Sequence, residues 1–172
     1  MPEFDLILSR DVIGQKVKEV AKAVSEDYKG RDLVIVGVLK GAFIFLSDLV
    51  REITIPLKVD FIGASSYGHR TESSGSVRIT KDVDIDLSNK DVLIVEDIVD
   101  TGLTLAYLIE HIKSAGALSV KTCTLIDKHE RRSAEVRVDY ACHVAEKGFL
   151  VGYGLDYAEF YRNLPGIYHL KL

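Results

Sequence analysis

At 172 residues, with 47% hydrophobic and 28% charged content, the chain is expected to form one globular domain with a core of its own, without a second catalytic domain. The formal charge of −4 argues against a general nucleic-acid surface. No basic leader precedes an apolar core and nowhere do eighteen apolar residues run together, so neither secretion nor a membrane span is expected.

In chain order, Ile13, Val17, Val20 and Val24 recur at helical spacing behind a capping Ser9, which predicts an amphipathic helix over 10–28 closed by Gly30. Residues 32–39, DLVIVGVL, read as a strand buried on both faces, and 42–51 as the helix that packs back on it. A third strand covers 57–64. The polar stretch SSYGHRTESSGSVRI that follows has no apolar period and is expected to be a long functional loop.

The run VLIVEDIVDTGLTL, Val92 to Leu105, is the most informative part. Val92 to Val95 predict another buried parallel strand, and Glu96 and Asp97 are expected to emerge at its carboxyl end, where open parallel sheets bind ligands. Asp100-Thr101-Gly102-Leu103-Thr104 then supplies hydroxyls, a glycine and the start of a helix over 104–114, which together suit a phosphate. Acids next to such a loop repel an anion unless a divalent metal intervenes. The competing reading is an ordinary capped turn. Neither GxxxxGK[ST] nor GxGxxG occurs.

Beyond this lie strands over 118–126 and 140–144, the first ending at Asp127-Lys128. The alternation of strands and helices predicts an α/β fold with a mainly parallel twisted sheet flanked by helices. The C-terminal stretch from Gly148, rich in glycine and aromatics, breaks the rhythm and is expected to form a small subdomain over the strand ends. A core role is expected for most of Tyr153, Tyr157, Phe160 and Tyr161. Cys123 and Cys142 lack metal or redox spacing and are expected to be buried, reduced thiols of a cytoplasmic protein.

The Val92–Leu105 run resembles, almost residue for residue, the phosphoribosyl pyrophosphate signature of the type I phosphoribosyltransferases. The likeness extends over nearly the whole chain and, through Lys128, Phe149 and the later GLDY, points to the hypoxanthine-guanine branch of that family. It implies a single domain over 1–172, with a core of about 9–140 and a hood made of about 1–8 and 141–172.

The implied reaction transfers 5-phosphoribose to N9 of hypoxanthine or guanine, with release of pyrophosphate. By that resemblance Glu96 and Asp97 face the ribose diol and magnesium, while Asp100, Thr101, Gly102, Leu103 and Thr104 wrap the ribose 5′-phosphate. Asp100 is in addition the acid/base group.

Lys40 and Gly41 in LKG, after a cis Leu39–Lys40 bond, and Arg162 would hold pyrophosphate. Lys128 would meet the 6-oxo group, Phe149 and Leu150 would stack and edge the purine, and Asp156 would line the purine site and bind a second magnesium. Ser66 and Tyr67 begin a mobile flap. Arg131 and Arg132 receive no role.

The partners implied are small molecules, with no nucleic acid or membrane, in a homodimer or homotetramer. A nucleic-acid regulator of the same fold and a xanthine-preferring transferase are the alternatives.

Overall fold

The computed structural model describes residues 2–67 and 76–171. The elements run β1 (Glu3–Leu8), α1 (Arg10–Asp27), β2 (Leu33–Leu39), α2 (Phe43–Glu52), β3 (Lys58–Tyr67), β4 (Ser76–Lys81), β5 (Asp91–Val99), α3 (Leu103–Ser114), β6 (Ser119–Lys128), β7 (Tyr140–Ala145), β8 (Leu150–Val151) and β9 (Ile167–Lys171).

A six-stranded sheet has the order β4-β3-β2-β5-β6-β7, parallel except for the antiparallel edge strand β4. The continuous apolar runs of β2 and β5 are explained by burial on both faces. Alternate residues Leu33, Ile35, Leu93 and Val95 join the core beneath α1 and α2. Their neighbours Val34, Val36, Val92 and Ile94 join a second core with Leu105, Leu108 and Ile112 of α3. α1 starts as its sequence requires: Ser9 Oγ accepts from the Val12 amide at 3.2 Å, and Ile13, Val17, Val20 and Val24 are buried.

A three-stranded sheet, β1-β9-β8, unites the two ends of the chain. β1 runs antiparallel to β9, with Glu3 opposite Lys171 and Leu8 opposite Ile167. That pairing joins segments too distant in sequence for local periodicity to reveal.

Two expectations change here. The polar stretch after residue 64 is not all loop: Ser65, Ser66 and Tyr67 extend β3, and Ser76–Lys81 return as β4, because an edge strand needs no apolar run on its solvent side. Most of the expected flap beyond Tyr67 lies outside the described residues. Of the four aromatics assigned to the core, only Tyr153 is buried; Tyr157 and Phe160 are exposed and Tyr161 is half-buried.

Candidate active site

The sheet order fixes where a ligand fits. From β2 the chain moves outward to β3 on one side and resumes on the other with β5, β6 and β7, so the order reverses between β2 and β5. Crevices outside the carboxyl ends of strands at such a reversal are where open α/β sheets bind their ligands. At this point β2 ends in Leu39, followed by a cis Leu39–Lys40 bond and Gly41. Gly41 is pressed against β5 so closely that a Cβ there would lie 1.7 Å from Asp97 Oδ2. Only glycine allows that approach.

β5 continues past its apolar run to Val99, so Glu96 and Asp97 lie within the strand rather than beyond it. Glu96 is 8% exposed and does not line the cleft, whereas Asp97 does. The ladder to β6 includes Glu96, paired with Thr124, so this acid sits within the strand and is more deeply buried than Asp97. Burial, and then the charge of Asp97, pushes the Glu96 carboxyl well above the ordinary carboxylate range. Asp97 is also raised by burial, against the opposing Ile98 amide bond and the positive charge of Arg162. Two adjacent acids with costly charges form a donor set that a hard cation would relieve.

Beyond Val99 the chain turns through Asp100, Thr101 and Gly102 into α3, which begins at Leu103, one residue before the expected start at Thr104. Gly102 is the N-cap with φ of 81°, a left-handed conformation that a side chain resists. Thr101 Oγ1 accepts from the Leu103 amide at 3.3 Å, and the Gly102 carbonyl accepts from Ala106 at 2.9 Å. The first-turn amides of Thr104 and Leu105 have no intrahelical partner, as at any helix start, and carry the positive end of the helix dipole.

The third wall comes from β6 and the C-terminal sheet. A cleft of about 160 Å³ is lined by Asp97, Asp100, Lys128, Phe149, Leu150 and Asp156, among others. Lys128 is the last residue of β6, 7% exposed, with its ammonium 3.5 Å from Glu130. Leu150 is buried, while Phe149 is 42% exposed and meets Tyr157 edge to face at 5.5 Å. Asp100 Oδ1 is buried with no hydrogen-bond partner among the described residues, and Oδ2 lies 3.5 Å from Arg131. A carboxylate oxygen so placed in a cleft is ready for a ligand proton.

The C-terminal loop closes over Gly41. A Cβ on Gly154 would lie 2.2 Å from the Gly41 carbonyl oxygen, so the two backbones touch. Arg162 donates to the Gly154 carbonyl at 2.7 Å and pairs with Asp156 at 3.1 Å. Lys40 pairs with Glu159 at 3.1 Å. The geometry thus gathers on one edge a glycine-led helix start, carboxylates, a strand-end lysine, an aromatic face and two cations.

The Phosphoribosyl transferase domain model matches residues 5–158. The chain belongs to the phosphoribosyl transferase family. It is 45% identical over 166 residues to the hypoxanthine-guanine phosphoribosyltransferase of Bacillus subtilis, covering 96% of this chain and 92% of that one. The structure of a hypoxanthine phosphoribosyltransferase from Staphylococcus aureus superposes with a TM-score of 0.94 at 44% identity, covering 97% of this chain and 91% of that one. The bifunctional protein TilS/HprT of Listeria monocytogenes is 46% identical over 166 residues, 96% of this chain but 26% of that protein. The chain therefore spans about a quarter of the length of those bifunctional relatives.

Two arginines that the sequence left without a role lie at this edge of the sheet. Arg131 lines the cleft beside Asp100. Arg132 joins the ends of two strands: it donates to the carbonyls of Asp100 at 3.0 Å, Val99 at 3.2 Å and Lys128 at 3.1 Å, and to the Asp127 carboxylate at 2.5 Å. The amides of Ser133 and Ala134 then close on the Thr101 carbonyl. A polar HERRS segment carries no periodic signal for such a clasp; its one cue is position, directly after a strand that ends at the site.

Proposed function

We propose that the protein transfers 5-phosphoribose from phosphoribosyl pyrophosphate to N9 of hypoxanthine or guanine, giving the nucleoside 5′-monophosphate and pyrophosphate, a purine-salvage reaction. The observation that carries this reading is the meeting of Lys128, Phe149, Leu150 and Asp100 on one cleft, with the Gly102-led helix start two residues along the chain from Asp100. A purine needs a flat apolar face and a donor for its 6-oxo oxygen, and a 5′-phosphate needs unpaired amides.

In this reading Phe149 stacks on the purine, Leu150 borders it and the Lys128 ammonium donates to the 6-oxo group. Asp100, with a free carboxylate oxygen, accepts the N7 proton as N9 attacks the sugar carbon. Thr101, Gly102, Leu103 and Thr104 hold the 5′-phosphate through hydroxyls and first-turn amides. Lys40, Gly41 and Arg162 receive pyrophosphate, the arginine offering two donors in a fixed fork. Ser66 and Tyr67, at the end of β3, lead into the flap of this reading.

Magnesium fits the donor set. Among the described residues no cluster of three or more His, Cys, Asp or Glu forms a closed cage. Asp97 and Asp156 instead each bring one carboxylate to the cleft, which suits magnesium when substrate oxygens and water complete its shell. The bound ion would neutralise charge gathering on the departing pyrophosphate. Glu96, buried behind Asp97, would act on the metal through its neighbour.

The domain reading is a single unit over 1–172, with the β1-β9-β8 sheet as hood over a core of about 9–140. Family likeness supports a homodimer or homotetramer. Both cysteines are free and buried, which suits the reducing cytoplasm. Within the described residues no helix is long and apolar enough to cross a membrane.

The deciding experiment measures pyrophosphate release with hypoxanthine, guanine, xanthine and adenine in turn. Turnover with hypoxanthine or guanine and little with adenine is expected. Absence of release with every 6-oxopurine would remove the reading.

A further inference from the structure

The cations assigned to pyrophosphate already hold an anion of the protein's own. The Glu159 carboxylate reaches both: Oε2 lies 3.1 Å from Lys40 Nζ and Oε1 lies 3.5 Å from Arg162 Nη2. One carboxylate, one oxygen to each cation, is the arrangement a bridging phosphate oxygen pair would adopt. We propose that Glu159 is an internal stand-in for pyrophosphate, occupying the Lys40 and Arg162 positions when the product is absent and yielding them when it binds. The inference rests on the assignment of those two cations made above.

The backbone supports this role. Tyr157 and Phe160 exchange amide-to-carbonyl bonds at 3.1 and 2.9 Å, leaving Ala158 and Glu159 as the tip of a two-residue turn. Both tip residues have positive φ, 50° and 70°, a geometry for which Asn-Gly is the usual choice. A glutamate at such a tip needs local restraint, and the Asp156 carboxylate provides it by accepting the Glu159 amide at 2.8 Å. Asp156 also takes Arg162, so the same carboxylate orients the turn and one of the cations that Glu159 meets.

Exposure decides whether the contact locks or yields. The side chains of Lys40 and Glu159 are 70% and 64% exposed. Exposed pairs are weak and screened, so an anion of higher charge displaces the carboxylate readily. Each pyrophosphate that binds must first break both contacts, and each that leaves is replaced by them. Glu159 therefore weakens product retention without touching the reacting atoms.

The test is calorimetric titration of inorganic pyrophosphate, with magnesium, into the wild-type protein and Glu159→Gln. The variant should bind about threefold to tenfold more tightly, the range that two exposed ion pairs supply. In a Lys40→Met background the same substitution should gain about twofold or less, because one of the two contacts is already gone. Equal or weaker binding by Glu159→Gln, with normal binding by wild type, overturns the stand-in and leaves the transferase reading intact. Failure of wild type to bind pyrophosphate removes both.

Discussion

At the scale of single residues the site depends on two kinds of economy, an oxygen left free and a side chain left out. Asp100 Oδ1 is buried without a partner among the described residues, a cost that a ligand or proton would offset. Asp100→Asn keeps the size and the helix start behind it, so phosphate binding should survive while turnover falls by about 10²- to 10⁴-fold, the range for a lost acid/base group. Steady-state kinetics beside phosphate titration would check this, and wild-type turnover would strip Asp100 of its role. Gly41 is the converse case. A methyl at that position would lie 1.7 Å from Asp97 Oδ2 and must push either the carboxylate or the loop aside. Since an error of about 1 Å in a positioned group can cost about 10² in rate, Gly41→Ala should lose about that much turnover with little change in far-ultraviolet circular dichroism.

At the scale of elements, the ends of β5 and β6 are the parts that must keep their spacing. Arg132 ties them through the carbonyls of Val99, Asp100 and Lys128 and through Asp127, which is 9% exposed. Among the described residues Arg132→Ala leaves that carboxylate with His129 at 3.2 Å, and breaking a buried pair costs about 3–5 kcal/mol. The partial exposure of both side chains places the expected loss near the lower figure, about 3 kcal/mol by denaturant titration. Hypoxanthine KM should rise with it, because Lys128 is carried on the freed strand end. Unchanged stability would show the clasp to be dispensable.

Much of this architecture was legible before the fold was known. Val92 to Val95 announced a strand buried on both faces, and Ser9 with Ile13, Val17 and Val24 announced α1. What stayed hidden has physical causes. Glu96 and Asp97 read as the end of a strand because acids rarely occupy a ladder, yet β5 runs on to Val99. β4 is an edge strand whose residues alternate between exposed and partly exposed, so no apolar run marks it. The pairing of Glu3 with Lys171 spans almost the full chain, and the links made by Arg132 are to backbone carbonyls, which leave no complementary side chain to recognise in sequence.

At the scale of the whole molecule, the connection between β4 and β5 has to be held against the sheet so that β5 enters at the reversal point. Asp60, on β3 and 7% exposed, does this by accepting the amides of Asp84 at 2.7 Å and Ile85 at 2.9 Å, with that of Phe61 at 2.7 Å. Burial alone would raise this carboxyl; the amides of Ile85, Phe61 and Asp84, with Lys81 nearby, outweigh it and leave the group below its ordinary range. A carboxyl lowered in the folded state binds its proton more readily when unfolded. Its stabilising contribution is therefore complete above the unfolded value of about 3.9 and is lost as pH falls through the lower, folded value. Asp60→Asn replaces an ionised acceptor with a neutral amide and should cost about 1–3 kcal/mol near neutral pH, the usual penalty for hydrogen bonds to a charged group. The same substitution should cost progressively less as pH falls into the acid range, so that melting temperatures of wild type and variant converge there. A constant difference from pH 7 to pH 3 would mean that shape rather than charge holds the connection in place.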